Sequence, residues 1–147
     1  MRWGFNLFPA LRRTGGRITY IAKDLKEVAV KIPLNWKTRN YVGTMFGGSM
    51  YAAIDPVYMV MFMKLLGPEY RIWDKAANIQ YRRPGRSDLH AVFTISDDEI
   101  ASLRNELLRT DRLDRTYQVK LLDENNKVTA IIEKTLHFQK QRGSGAA

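Results

Sequence analysis

Between residues 17 and 33 hydrophobic and polar positions alternate. Ile18, Tyr20 and Ala22 are interleaved with Thr19, Ile21 and Lys23, and Val28, Val30 and Ile32 with Glu27, Ala29 and Lys31. A two-residue period predicts half-buried strands. From about Thr44 to Leu66 the chain is apolar on nearly every side and rich in Met and Ala. That stretch is too long for one strand and predicts a helix surrounded by protein, with Thr44 as its expected N-cap and Gly67-Pro68 as its stop. Pro56 lies inside it and has no N–H to donate, which predicts a kink near the middle. Alternation then returns. Residues 73–83 place Trp73, Lys75, Ala77, Ile79 and Tyr81 on one face, and residues 89–95 place Leu89, Ala91, Phe93 and Ile95 together. Asp97 is expected to cap a helix with an acidic first turn and apolar positions at Ile100, Leu103 and Leu107. Residues 116–122 and 127–139 flank Asp123-Glu124-Asn125-Asn126 and predict a hairpin. A short amphipathic helix over residues 2–13, ended by Gly15-Gly16, completes the order.

Helices that do not alternate one-for-one with strands predict an α+β fold with a mainly antiparallel sheet. A helix apolar all round needs cover on every side, which a sheet curling round it would supply. The chain has 147 residues and a mass of 17.0 kDa, the size of one domain, drawn over residues 1–140 with 141–147 as a loose tail. A hydrophobic content of 45% and an aromatic content of 11% exclude a disordered chain. The sequence has no cysteine, so disulfides, thiolate nucleophiles and Cys-based zinc sites are excluded. Residues 1–13 lack the basic-then-apolar pattern of a secretory signal. The longest unbroken apolar run, residues 57–63, is far shorter than the ~20 residues that cross a bilayer. The expectation is a cytoplasmic protein without membrane insertion.

The net charge is +9 and is unevenly spread, for residues 1–40 hold nine Lys/Arg against two Asp/Glu. A basic face attracts phosphate-bearing partners such as nucleic acid, anionic lipid or coenzyme A, although it also serves solubility alone. Nucleic acid is disfavoured because aromatic residues are not interleaved with the Arg/Lys and no nucleic-acid-binding motif is present.

Several kinds of chemistry leave no mark. The run Gly43-x-x-x-Gly47-Gly48-Ser49 is not a P-loop, since no Lys follows the glycines. No dinucleotide fingerprint, zinc-protease motif or nucleophile elbow occurs. The only histidines, His90 and His137, lie in alternating strand patterns, where a metal role is disfavoured; no metal is expected. The informative stretch is residues 40–56. Glycines opening a buried helix expose backbone N–H groups, which with the positive end of the helix dipole can hold a carbonyl oxygen that gains charge. Asp55 lies seven residues beyond Gly48, about two turns on and so on the same helix face. An acid in an apolar segment is costly unless paired, hydrogen-bonded, protonated or facing a cleft. An alternative stands beside this: the glycines permit tight packing and Asp55 satisfies a neighbouring backbone group.

The arrangement Asn40-x-x-Gly43-x-x-Phe46-Gly47-Gly48-x₆-Asp55 resembles the motif of hotdog-fold thioesterases, especially the phenylacetyl-CoA thioesterase-like branch and a branch known only as a domain of unknown function. The likeness extends over roughly residues 18–139. It implies a hotdog fold, an antiparallel sheet wrapped around a long central helix, in a homodimer or dimer of dimers with its acyl-thioester site at the subunit interface. It further implies that Gly48, with Gly47, donates an amide to the thioester carbonyl. Asp55 would be the general base or nucleophile, and Asn40 would orient water or the thioester. Arg82, Arg83 and Arg86, at a strand end, would meet the phosphates of coenzyme A, which enters as part of the substrate rather than as a cofactor. The acyl lining would come from Met50, Tyr51, Tyr58, Met59 and Met63. Two departures matter: Phe46 stands where the family has His, and Pro56 directly follows Asp55. The expected activity is hydrolysis of acyl-CoA or acyl-carrier thioesters, with a non-catalytic acyl-CoA-binding or sensing protein as the alternative.

Overall fold

The computed structural model describes residues 6–141. Its elements are α1 (Pro9–Arg13), β1 (Arg17–Ile21), β2 (Glu27–Ile32), α2 (Gly47–Ile54), α3 (Val57–Leu66), β3 (Tyr70–Tyr81), β4 (Leu89–Thr94), α4 (Asp97–Arg109), β5 (Arg112–Leu122) and β6 (Val128–Lys140). The six strands form one sheet in the order β1-β2-β4-β5-β6-β3, and every neighbouring pair is antiparallel. The predicted α+β class and the antiparallel sheet around a central helix are both present.

The sheet's inner face and the α2–α3 helix bury each other. Val30 and Ile32 of β2, Leu89 and Phe93 of β4, Leu121 of β5 and Ile132, Leu136 and Phe138 of β6 are sealed from solvent together with Ile54, Phe62 and Leu66 of the helix. Phe62 meets Phe138 edge-on at 5.2 Å, and Tyr58 meets Phe93 edge-on at 4.9 Å, the geometry that aromatic quadrupoles favour. Helix α4 closes one side with Leu103 and Leu107. Arg104 donates to the Leu65 carbonyl at 2.9 Å, satisfying one of the acceptors left over at the end of α3. By length and composition Gly47–Leu66 could cross a membrane, yet half of its most apolar window is buried inside this fold.

Several local expectations shift. The central helix begins at Gly47 with Phe46 at the N-cap, not at Thr44. The Thr44 hydroxyl instead accepts from Asn40 Nδ2 at 2.9 Å within the preceding loop. Pro56 divides the helix into α2 and α3, with Asp55 and Pro56 themselves in right-handed helical conformation. Ser96, not Asp97, caps α4, accepting the Glu99 amide at 3.1 Å. In β1 a register irregularity between Ile18 and Tyr20 leaves Ile18 buried and Tyr20 exposed. In β3 a similar irregularity between Asp74 and Ala76 splits the expected single face. Trp73 pairs with the outward His137, whereas Ala77, Ile79 and Tyr81 pair with Lys134, Ile132 and Ala130 and so share the inner face. The expected N-terminal helix is described only from Asn6, and residues 2–5 of it lie outside the described residues, as do 142–147 of the expected tail. Gln141 itself is fixed, its amide donating to the Glu69 carbonyl at 2.8 Å.

Candidate active site

Asp55 sits at the C-cap of α2, held there by its amide's bond to the Tyr51 carbonyl at 3.0 Å. Its carboxylate meets a partner that the sequence did not announce. Lys134 projects from the inner face of β6, in phase with Ile132, Leu136 and Phe138, and is 1% exposed. Its Nζ lies 2.5 Å from Asp55 Oδ1, 3.2 Å from the Tyr51 hydroxyl and 3.1 Å from Asp74 Oδ1. The Asp74 contact is an ion pair without hydrogen-bond alignment. The ammonium also stands over the Tyr51 ring, 5.0 Å from its centroid. Burial pushes the Lys134 ammonium down, but Asp55, Tyr51 and Asp74 outweigh it and hold its pKa above the ordinary lysine value. Burial pushes the Asp74 carboxyl up against the opposing pull of Lys134. Tyr51 is likewise raised, by burial first and Asp55 second. Two carboxylates thus share one buried cation, and the more exposed acid is Asp55, whose side chain is 42% accessible.

Asp55 opens onto a cavity of about 900 Å³ between α1 and the outer face of the central helix, lined by Phe8, Leu11, Tyr51, Pro56, Met59 and Met63 among others, with Lys64 at its wall. Three of the five expected lining residues, Tyr51, Met59 and Met63, are there. Met50 and Tyr58 are not: the helical repeat turns them to the sheet, where both are buried and the Tyr58 hydroxyl donates to the Gln118 carbonyl at 3.2 Å. Burial pushes that phenol up to about 12.

The diglycine occupies the other end of α2. The first amides of the helix have no intrahelical acceptor, and no side chain caps them. Both glycines are tight. A Cβ on Gly47 would stand 2.9 Å from the Tyr81 hydroxyl, and one on Gly48 would stand 2.4 Å from the Phe46 ring. The Phe46 ring therefore lies directly against Gly48 while remaining exposed itself. Seven residues separate Gly48 from Asp55, which at ~1.5 Å per residue is about 10 Å along one helix. Asn40 stands in the loop before α2, and its side chain is engaged by that loop: Oδ1 accepts the Val42 and Thr44 amides at 3.1 and 3.0 Å. Arg82, Arg83 and Arg86 are exposed at the end of β3. Gly85 between them accepts the Met45 amide at 2.7 Å, and a Cβ there would stand 2.8 Å from the Met45 Cβ. Lack of a side chain at Gly85 thus seats the arginine loop against the segment leading into the diglycine. Arg82 donates to Gln80 at 2.6 Å.

Among the described residues no group of three or more His, Cys, Asp or Glu could hold a metal ion. His137 meets Asp114 at 2.5 Å on the outer face of the sheet, and His90 meets Asn126 at 3.2 Å. The one signal for Lys134 in the sequence was its phase: a lysine in step with Ile132, Leu136 and Phe138 falls on the buried side of a strand.

A family model for a domain of unknown function, DUF4442, matches residues 3–138. The chain belongs to the DUF4442 family. No protein of curated function matches it in sequence. Solved structures share its hotdog fold. The probable thioesterase PA5026 from Pseudomonas aeruginosa, a protein of unknown function, superposes with a TM-score of 0.86 at 18% identity, over 95% of this chain and 93% of that one. The thioesterase HI1161 from Haemophilus influenzae gives 0.71 at 16% identity, over 97% and 91%. A thioesterase from Shewanella oneidensis, putative in its own description, gives 0.70 at 21%, over 92% of each chain. These likenesses show that the DUF4442 chain has the hotdog fold that its sequence motif implies.

Proposed function

We propose that this DUF4442 protein hydrolyses acyl thioesters of coenzyme A or an acyl carrier, at a site completed by a second copy of the chain. The observation that carries the reading is a carboxylate, Asp55, ion-paired to a buried lysine at the edge of an apolar cavity of about 900 Å³. An acyl chain suits that cavity, with its thioester at Asp55. The carboxylate then acts as base or as nucleophile. As base it takes a proton from water, whose oxygen adds to the carbonyl carbon; the C–S bond breaks and the thiolate leaves with a proton. As nucleophile its oxygen adds to the carbonyl carbon, the C–S bond breaks to expel the thiolate, and water then opens the acyl anhydride to the free acid and the Asp55 carboxylate. The Gly48 amide, with Gly47, stabilises the oxyanion. Because Gly48 is about 10 Å from Asp55 along its own helix, the amide that meets a given Asp55 belongs to the partner protomer.

Supporting a dimer, β3 is an edge strand of 12 residues, and such edges are natural templates for pairing. Tyr81 at the end of β3 is exposed, as are Tyr41, Val42 and Phe46 in the segment before α2. The loop of Arg82, Arg83 and Arg86 lies beside the start of α2, where guanidinium groups suit the phosphates of coenzyme A. The test is thiol release from a panel of acyl-CoAs. Asp55→Asn should lower kcat by roughly a hundredfold or more with the fold retained; equal rates in the two proteins would remove Asp55 from the reaction.

The Phe46 ring, packed where a Gly48 side chain would stand, favours a second reading, a protein that binds acyl-CoA without turning it over, since an aromatic ring beside the helix start supplies no polar group to the reaction. Calorimetric binding of acyl-CoA with no thiol release above background would select that reading, and rapid release would end it.

A further inference from the structure

We propose that Lys134 is the positioning residue of this site: its buried ammonium grips one oxygen of Asp55 and presents the other to the cavity. The proposal rests on the reading of Asp55 as the reacting carboxylate and deepens it.

Lysine on the inward side of a central strand is costly to bury without partners. Here each of its three N–H donors has an oxygen nearby, on Asp55, Tyr51 and Asp74. With two donors bonded to Asp55 and Tyr51 and its charge held by Asp55 and Asp74, Lys134 is neither a base nor a nucleophile. Its effect is on Asp55. A half-exposed acid at a helix end would sample several rotamers. A charge-assisted bond of 2.5 Å to Oδ1 selects one and leaves Oδ2 unengaged by Lys134. The anchor itself does not move with the helix end: it stands on β6, sealed between β3 and β5.

The charges around Lys134 come from every element against it. The central helix gives Tyr51 and Asp55, and β3 gives Asp74. Strand β5 places Tyr117 opposite Lys134 in the ladder, but the Tyr117 hydroxyl donates to Glu99 at 2.6 Å, and Glu99 is in turn paired with Arg115 at 2.7 Å. Tyr117 is thereby engaged away from the cluster. Two carboxylates against one ammonium leave the cluster with a net charge of −1, and the accessible member is Asp55.

The test compares wild type, Lys134→Met and Lys134→Arg for thiol release, with the fold checked by near-UV circular dichroism. Lys134→Met should lower kcat by about a hundredfold with KM within about threefold. Lys134→Arg should recover part of kcat. A folded Lys134→Met with unchanged kcat overturns the proposal. Should Lys134→Met fail to fold, the double variant Asp74→Asn/Lys134→Met preserves the net charge of the cluster and is read the same way. A second readout needs no turnover: in a crystal structure of the methionine variant the Asp55 side chain should leave its wild-type rotamer or spread over several. Wild type that releases no thiol defeats the hydrolase reading alone. An Asp55 rotamer unchanged without Lys134 defeats the positioning role.

Discussion

Asp88 fastens the start of the loop that leads to the candidate site. Its carboxylate pairs with Lys31 at 2.9 Å and accepts the Leu34 amide at 2.8 Å, and Lys31 first, then Leu34, hold its carboxyl below the usual carboxylate range. A depressed value in the fold means that the stabilisation is fully present above the ordinary range and is lost as pH falls through the depressed value. Asp88→Asn should therefore be less stable than wild type at neutral pH, with the gap closing as the pH falls below the ordinary carboxylate range, as read by urea unfolding across pH. A gap independent of pH would contradict the ion pair. Residues differ in how far the sequence exposes them. Asp55 was visible as an acid in an apolar stretch. Lys134 was legible only as a lysine on the buried phase of its strand, and its pairing with Asp55 was not, because 79 residues separate their positions in the chain. Asn40 was visible as a polar residue beside the diglycine, but only coordinates show its side chain engaged by Val42 and Thr44.

Elements were legible where their period is long and clean. The central helix and β4 follow directly from their apolar positions, and Leu103 and Leu107 of α4 are fully buried as their spacing demanded. The bulge in β3 was hidden because one extra residue inverts the parity of a strand without any characteristic residue type. The start of α4 was ambiguous because Ser96 and Asp97 are both good caps, and only geometry shows which side chain reaches the Glu99 amide. Pro56 is the element-level feature closest to function. It cannot donate to the Ala52 carbonyl, and it fixes the chain directly after Asp55. Pro56→Ala would restore that donor and straighten the helix, displacing Asp55 from Lys134. Thiol release should fall by roughly tenfold or more while the thermal midpoint holds or rises. Unchanged rates in that variant would show that the kink does not aim the carboxylate.

At the scale of the molecule, the sheet is closed on itself at no point and ends in the long edge β3. Ile79 and Tyr81 on its inner face retain exposure that a second protomer would remove. Light scattering should give twice the 17.0 kDa chain mass for wild type. Ile79→Lys places a charge on the shared surface and should shift the protein toward monomer, with thiol release lost in proportion. A dimer that survives this change intact would locate the interface elsewhere. The architecture was legible from element order alone, because a helix apolar on all sides admits few kinds of cover. Alternation in a single chain does not distinguish solvent from a partner, so the expected homodimer or dimer of dimers rested on the resemblance alone. The account as a whole turns on where a thioester lies. The most direct measurement is a crystal structure of the protein with a non-hydrolysable acyl-CoA analogue. The account predicts the acyl chain in the cavity beside Met59 and Met63, the carbonyl carbon within about 3.5 Å of Asp55 Oδ2 or of a water held by it, and the carbonyl oxygen against a Gly48 amide of the second protomer. An analogue bound with its carbonyl remote from Asp55 would contradict it.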